Sequence, residues 1–323
     1  MSLCFVAVAQ ARSRKATKVA ARTEIGVNLY NYGKAGVKEV PSSVPVVRLE
    51  TCAEGSKSAT HTEYDEWHAR GAAIIDQVPA GGVCESDPAH GGREIHSLNR
   101  TTFAKEIVEQ VEANPFIYAV ELLNEPANPL FWGETAKSSQ NELAYAELVK
   151  TTYTALEEKF GSKRPLVLAS YDGGEDVDVT WGEQVWKLAS EHKITLNNYV
   201  DGITVHPYGY SGGTLDGKSW EAWQGARPTV EVAHSQTGKP VYVTEVGWTV
   251  GEATEYSEHY SETEQAKNIY AFGEWANQTG YIPAVTFYDF RDLSPEEGFG
   301  IEANSGTKRE LTYEYLESLA TYF

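Results

Sequence analysis

Two carboxylates carry the chemical interest of this chain. The stretch Glu121-Leu-Leu-Asn124-Glu125-Pro126 closes an apolar run that begins at Phe116. A strand that only fills a core can stop on any turn residue. This one stops on an amide and a carboxylate, groups suited to a polar ligand. A second apolar run, Val241-Tyr-Val-Thr-Glu245, stops on another glutamate. Taken alone, a glutamate at a strand end is ordinarily solvated or caps a helix. Two of them projecting into one cavity differ, because like charge raises the pKa of one carboxyl. The pair then holds one protonated acid and one ionised carboxylate, which suits proton donation on one side of a bond and attack on the other.

The elements that must position these groups follow from hydrophobic patterning. Candidate strands are Ile25–Leu29, Val46–Leu49, Ala72–Asp76, Ile117–Leu123, Leu166–Ala169, Gly202–His206, Val241–Glu245 and Ala284–Tyr288. Each is a nearly continuous apolar run, as expected of parallel strands covered on both faces. Helical segments separate them. Ser139-Gln-Asn-Glu142 reads as a capping box opening a helix to about Phe160, stopped by Gly161. Ser261-Glu-Thr-Glu264 opens another, to about Asn277, before Gly280. Residues 103–113 and 181–191 read as helical, and Glu310–Tyr322 as a closing helix. Eight such units in series predict a single-domain (β/α)8 TIM barrel over residues 23–323. Pattern alone also allows a doubly wound open sheet. The short, Gly- and Pro-containing segment between the first two strands predicts a weak or missing first helix.

In such a barrel the C-terminal strand ends build the active site. They bring Arg48 and Glu50, Asp76-Gln77, Asn124-Glu125, His206 and Tyr208, Glu245, and Tyr288 with Asp289, Arg291 and Asp292. Glutamates on strands four and seven are the arrangement that glycoside hydrolysis needs. The alternative reading of Arg48 is an ion pair with Glu50 or Asp76, and of His206 a satisfied core histidine.

The stretches "LLNEP", "ITVHPYGY" and "VYVTEVGW" resemble the strand-four, strand-six and strand-seven motifs of clan A glycoside hydrolases, retaining (β/α)8 enzymes. "EVGW…SETEQA…FYDFRD…GFGIEANSG" resembles the C-terminal third of members related to families 39 and 5, and the likeness runs over about residues 25–320. The resemblance implies Glu125 as general acid/base and Glu245 as nucleophile, with Asn124 on the sugar 2-hydroxyl. It implies Arg48 beside Glu245, keeping it ionised, Tyr208 as a donor to the nucleophile, and His206 supporting the acid/base or a sugar hydroxyl. Where that clan usually has a tryptophan at the end of strand eight, this chain has Tyr288, the substitute expected to form the floor under the sugar. Sugar faces are apolar and stack on aromatic rings, so Trp132, Trp220, Trp223 and Trp248, in loops after strands four, six and seven, are expected platforms. Tyr30 and Tyr32 are further candidates. Trp67, Trp186 and Trp275 fall in helical segments and are expected in the outer core.

Composition narrows the partners. The 323 residues carry a formal charge of −19, which disfavours nucleic acid and acidic polymers. No apolar run is long enough to span a membrane. Residues 1–22 hold five basic residues and no acid, but the apolar run Leu3–Ala9 precedes them, the reverse of a secretory signal. They read as a leader or leading helix. Cys4, Cys52 and Cys84 show no zinc spacing. Cys52 and Cys84 fall on neighbouring loops, where a disulfide or two free thiols are both open. The eight histidines show no metal-ligand spacing, so neither metal nor cofactor is expected. Gly209-Tyr-Ser211-Gly-Gly213 matches a G-x-S-x-G elbow, with His234 or His259 as base for an esterase, but Pro207 and the flanking loop do not supply the strand–turn–helix context. Gly298-Phe-Gly300-Ile-Glu-Ala303 has the count of a dinucleotide fingerprint but follows no strand. The expected activity is therefore a β-glycanase, endo-acting because long loops follow strands three, four and six, and extracellular because its substrate would be. A transglycosidase or a glycan-binding barrel without activity would present the same residues.

Overall fold

A computed structural model describes residues 22–29, 37–50, 61–78, 94–133, 135–172, 179–208, 214–215, 218–219, 222–254 and 257–322. Eight parallel strands close on themselves in chain order. They are β1 (Glu24–Leu29), β2 (Val46–Glu50), β3 (Ala73–Val78), β4 (Ala119–Leu122), β5 (Leu166–Ser170), β6 (Gly202–Val205), β7 (Val241–Val243) and β8 (Ala284–Phe287). The ring closes through β8 on β1, with Ile25 opposite Val285. Closure decides against the open doubly wound sheet, since the ring of eight has no free edge. Helices follow seven of the strands: α1 (His61–Arg70), α2 (Arg100–Ala113), α3 (Ser139–Phe160), α4 (Thr180–Glu191), α5 (Arg227–Thr237), α6 (Glu262–Thr279) and α7 (Glu310–Tyr322). Between β1 and β2 the described residues form turns and no helix.

Local chemistry sets the helix ends. Ser261 and Glu264 form the reciprocal capping box at α6, and left-handed Gly280 ends it. At α3 the cap is Ser138, whose hydroxyl accepts from the Asn141 amide, rather than the neighbouring Ser139. Two adjacent serines offer the same chemistry, and the incoming chain direction selects the first. Asn99 caps α2 in the same way.

The barrel interior explains why the strands read as apolar yet end polar. Inward positions recur every second residue. The lower interior is filled by Val46, Ile75, Ala119, Leu168, Tyr242 and Ala284. Two residues further along the same strands come Arg48, Gln77, Glu121, Ser170, Thr244 and Thr286, all buried. The outward positions pack against the helices in a larger, separate core that includes Val47, Ile74, Val120, Val167, Ile203 and Val243. Gly202 leaves room for the Tyr242 ring, which would lie 2.6 Å from any Cβ placed there. The closed apolar floor thus raises a polar layer towards the C-terminal mouth.

Candidate active site

Arg48 is the hub of that polar layer. Its Nε donates to Glu121 Oε2 at 2.5 Å, Nη1 to Glu245 Oε1 at 2.6 Å, and Nη2 to Asn124 Oδ1 at 2.7 Å. One planar guanidinium so links β2 to the ends of β4 and β7. Asp76, the partner weighed from sequence, is not among these three. Asp76 faces outward and accepts from Tyr64 of α1 at 2.6 Å. Glu121, on the inward side of β4, is the polar-layer residue that the sequence left without a role. Burial pushes its carboxyl up, but Arg48 and His206 outweigh that and hold it down at about 2.

Beyond β4 the backbone turns through unusual conformations. Leu123 and Glu125 have φ of 63° and 39°. Left-handed conformations at non-glycine residues cost on the order of 1–3 kcal/mol each and persist where surroundings enforce them. Here the enforcing contacts are visible. The Trp132 indole N–H donates to the Asn124 carbonyl at 2.7 Å. The Asn128 amide N–H reaches the Glu125 carbonyl at 2.8 Å. The Asn128 side chain donates to Glu125 Oε2 at 2.7 Å. These contacts turn the Glu125 carboxyl towards His206, whose Nδ1 lies 3.0 Å from Glu125 Oε1.

Glu245 has different company. Arg48 donates to one oxygen, and the Tyr208 hydroxyl donates to the other at 2.6 Å. Burial, then the charge of Glu245, raises the Tyr208 phenol well above its ordinary range, so it stays a donor. Glu125 is also raised, by burial first and by the charge of Glu245, against the hydrogen bonds from His206 and Asn128. Burial lowers His206, but Glu245, Glu121 and Glu125 together carry it well above its ordinary value. Oxygens of Glu125 and Glu245 and a ring nitrogen of His206 lie within 4.8 Å of one another. That trio has the donor composition of a cation site. The guanidinium at 2.6 Å and the phenol on Glu245 oppose one, since they already supply positive charge and donors to that carboxylate.

The remaining sequence candidates separate. Asn124 is gathered in, its Oδ1 fixed by Arg48, which leaves Nδ2 as its donor end. Tyr288 is half-buried at the mouth. Its ring meets Tyr208 edge-on at 6.2 Å, and its hydroxyl donates to Glu297 at 2.9 Å. Trp248 is a correction. It is fully buried, packs against Phe272 of α6 and has no face to offer a sugar. Trp132 is corrected likewise: it is buried and braces the Asn124 carbonyl. Trp223 packs half-buried against the outer core, as do Trp186 and Trp275, while Trp67 lies within it. Asp292 and Arg291 are spent on Arg309 and Glu302. His234 sits in the last turn of α5, at the opposite end of the barrel, stacked on Tyr281. Trp220, Tyr30, Tyr32, Ser211, Cys4, Cys52, Cys84 and residues 1–21 lie outside the described residues.

With this geometry in view, the fold can be placed among known proteins. Its structural neighbours are glycoside hydrolases. No family model matches the chain, and no curated protein is detectably similar in sequence. Fungal β-1,4-galactanases superpose with a TM-score of 0.65 at 14% identity, over 87% of this chain and 89% of theirs. β-Glucuronidase 2 of Bacteroides uniformis gives 0.57 at 14% identity, over 86% of this chain and 31% of that one. A β-galacturonidase from Eisenbergiella tayi gives 0.58 at 13%, over 94% and 51%. The chain therefore spans about a third to a half of the length of these uronidases and nearly all of the galactanase. At such identities the likeness establishes the closed (β/α)8 barrel. Among the described residues no helix is long and apolar enough to cross a membrane.

Proposed function

We propose that this protein is a retaining glycoside hydrolase, with Glu245 as nucleophile and Glu125 as general acid/base. The observation that carries the reading is the spacing of the two carboxylates. Oxygens of both fall within 4.8 Å, at the C-terminal ends of β4 and β7. Retaining enzymes hold their carboxyls roughly 5–5.5 Å apart, whereas inverting ones leave about 6.5–9.5 Å for a water. The partners support the division of roles. Glu245 meets donors on both oxygens and is presented as the attacking carboxylate. Glu125 has its pKa raised by burial and is the group suited to protonate the leaving oxygen.

Attack by Glu245 on the anomeric carbon displaces the leaving oxygen, which takes the Glu125 proton. Water then enters, gives its proton to Glu125 and releases the sugar from Glu245. In this reading Asn124 bonds the 2-hydroxyl, and Tyr208 holds the nucleophile in line. The Tyr288 ring is the proposed floor, in place of the tryptophan of clan A, to which we assign the chain as a relative of families 39 and 5. A neutral β-linked polymer is the proposed substrate, cut internally and outside the cell. Arg48 is already engaged by Glu121, Glu245 and Asn124, and the net charge of −19 repels acidic polymers.

The test is product release from a panel of β-glycans by wild type and Glu245→Gln in parallel, with the anomer of the first product read by NMR. Cleavage by wild type alone with retained configuration is expected. Full activity in Glu245→Gln, or an inverted first product, would sink the assignment.

A further inference from the structure

We infer that Glu121 and Thr244 are positioning residues that act through His206, confining its exchangeable proton to Nδ1, the nitrogen facing Glu125. The hydrogen-bond pattern stands by itself, and its consequence for catalysis rests on the glycosidase reading above.

A threonine hydroxyl has one proton to give. Thr244 Oγ1 lies 2.7 Å from Glu121 Oε1 and 3.1 Å from His206 Nε2. Glu121 stays a carboxylate down to about pH 2. It can therefore only accept, so the Thr244 proton goes to it. The hydroxyl then faces His206 as an acceptor, and Nε2 must carry a hydrogen. Glu121 Oε1 itself stands 3.5 Å from Nε2, a second acceptor on the same edge of the ring. The main-chain N–H of His206 donates to Asp172 at 2.6 Å, which fixes the start of the side chain. Nε2–H is thus held in both the neutral and the charged ring.

Titration is left to Nδ1. It lies 3.0 Å from Glu125 Oε1 and 3.8 Å from Glu245 Oε2. The charged and titratable groups around the ring are Glu121 from β4, Glu125 after β4, Glu245 after β7, Arg48 from β2, Asp172 after β5 and Tyr208 after β6. In the polar layer, Arg48 balances one of the three glutamates and a protonated His206 a second. The third charge is removed by a proton on Glu125. When Glu125 yields that proton to the leaving oxygen, Nδ1–H is already aimed at the carboxylate that remains. When water returns a proton to Glu125, the same contact is restored. The alternative tautomer, with Nδ1–H fixed and Nε2 titrating, would move the response to the wrong edge of the ring.

The experiment is nitrogen-15 NMR of histidine-labelled full-length protein across a pH titration, with His206 assigned by the loss of its signals in His206→Asn. In wild type, raising the pH should strip Nδ1 while Nε2 keeps its hydrogen. Loss from Nε2 first would overturn the inference with no variant needed. Thr244→Val removes the nearer acceptor on Nε2 of the imidazolium. His206 should then deprotonate about one pH unit lower, and the alkaline limb of kcat/KM should move with it. Thr244→Ser, which keeps the hydroxyl, should restore both. An unchanged His206 titration in Thr244→Val, or equal shifts in both variants, would overturn it. The NMR result needs no substrate. A wild type that cleaves no glycan defeats the glycosidase reading alone, and an active wild type with the other tautomer defeats this inference alone.

Discussion

The ends of β4 and β7 present the same side chain in different company. Glu245 is met by a guanidinium and a phenol, both donors with no means of accepting its proton under ordinary conditions. Glu125 is met by an amide and an imidazole, and the imidazole can change its proton count. The backbone differs too, since Glu125 occupies a left-handed conformation braced by Trp132 and Asn128. Two identical carboxyls within 4.8 Å are thereby set apart by their neighbours rather than by their own chemistry.

Removing each carboxylate should break the symmetry most visibly. Glu245→Gly should lose roughly 10⁴-fold or more in kcat. Azide should rescue it with inverted product, because the anion enters from the vacated face. Glu125→Gly should lose roughly 10²–10⁴-fold, least for substrates with good leaving groups. Azide should rescue it with retained product, because attack then falls on the glycosyl-enzyme. Identical anomers from both variants would abolish the distinction. Next in size is the shared cation. Arg48→Met strands Glu121 and Glu245 in a buried site and should cost about 3–5 kcal/mol in urea unfolding at neutral pH. Arg48 helps hold Glu121 low in the wild type, and that stabilisation is lost as pH falls from the unfolded carboxylate value towards about 2, so the deficit should shrink over that range. A deficit that ignores pH would contradict this account. Tyr208→Phe deletes one donor on Glu245 and should lower kcat about 10–100-fold while KM holds; a change in KM alone would assign Tyr208 to the substrate instead.

The smallest effect lies away from the pair. Asp289 is buried, its Oδ1 has no partner, and burial with the charges of Glu297 and Asp292 raises its carboxyl well above 3.8. Such a group binds its proton more tightly folded than unfolded. Its contribution is full below 3.8 and is lost as pH rises towards its folded value. Asp289→Asn should therefore raise Tm by about 2–4 °C at pH 7 and change little below pH 3.8. Equal shifts at both pH values would assign the effect to packing.

Eight apolar runs punctuated by capping serines and glycines were enough to expect the barrel, because parallel strands buried on both faces leave that pattern and few others. Asn124, Glu125, His206, Tyr208 and Glu245 were legible as polar ends of those runs. Glu121 stood in plain view inside one run, but its direction depends on parity. Only the register, with Glu121 opposite Gln77 and Leu168, turns it inward beside Arg48. Thr244 was masked by its neighbour Glu245 for the same reason. The tryptophans mislead because a ring just past a strand can swing to either side of the sheet. Trp248 turned to the helix layer and Trp132 to the backbone beneath the site.

Arg48 also ties the order of assembly to the appearance of function. Its partners are Glu121, 73 residues on, and Glu245, 197 residues on. A chain emerging from the ribosome presents the guanidinium and the first acid long before the second acid exists. Contacts of such separation form late, after the intervening loops have been closed. The polar layer is thus a clasp rather than a module. It cannot be carried by any fragment that stops short of β7, and activity regained on refolding would time the moment at which the ring shuts.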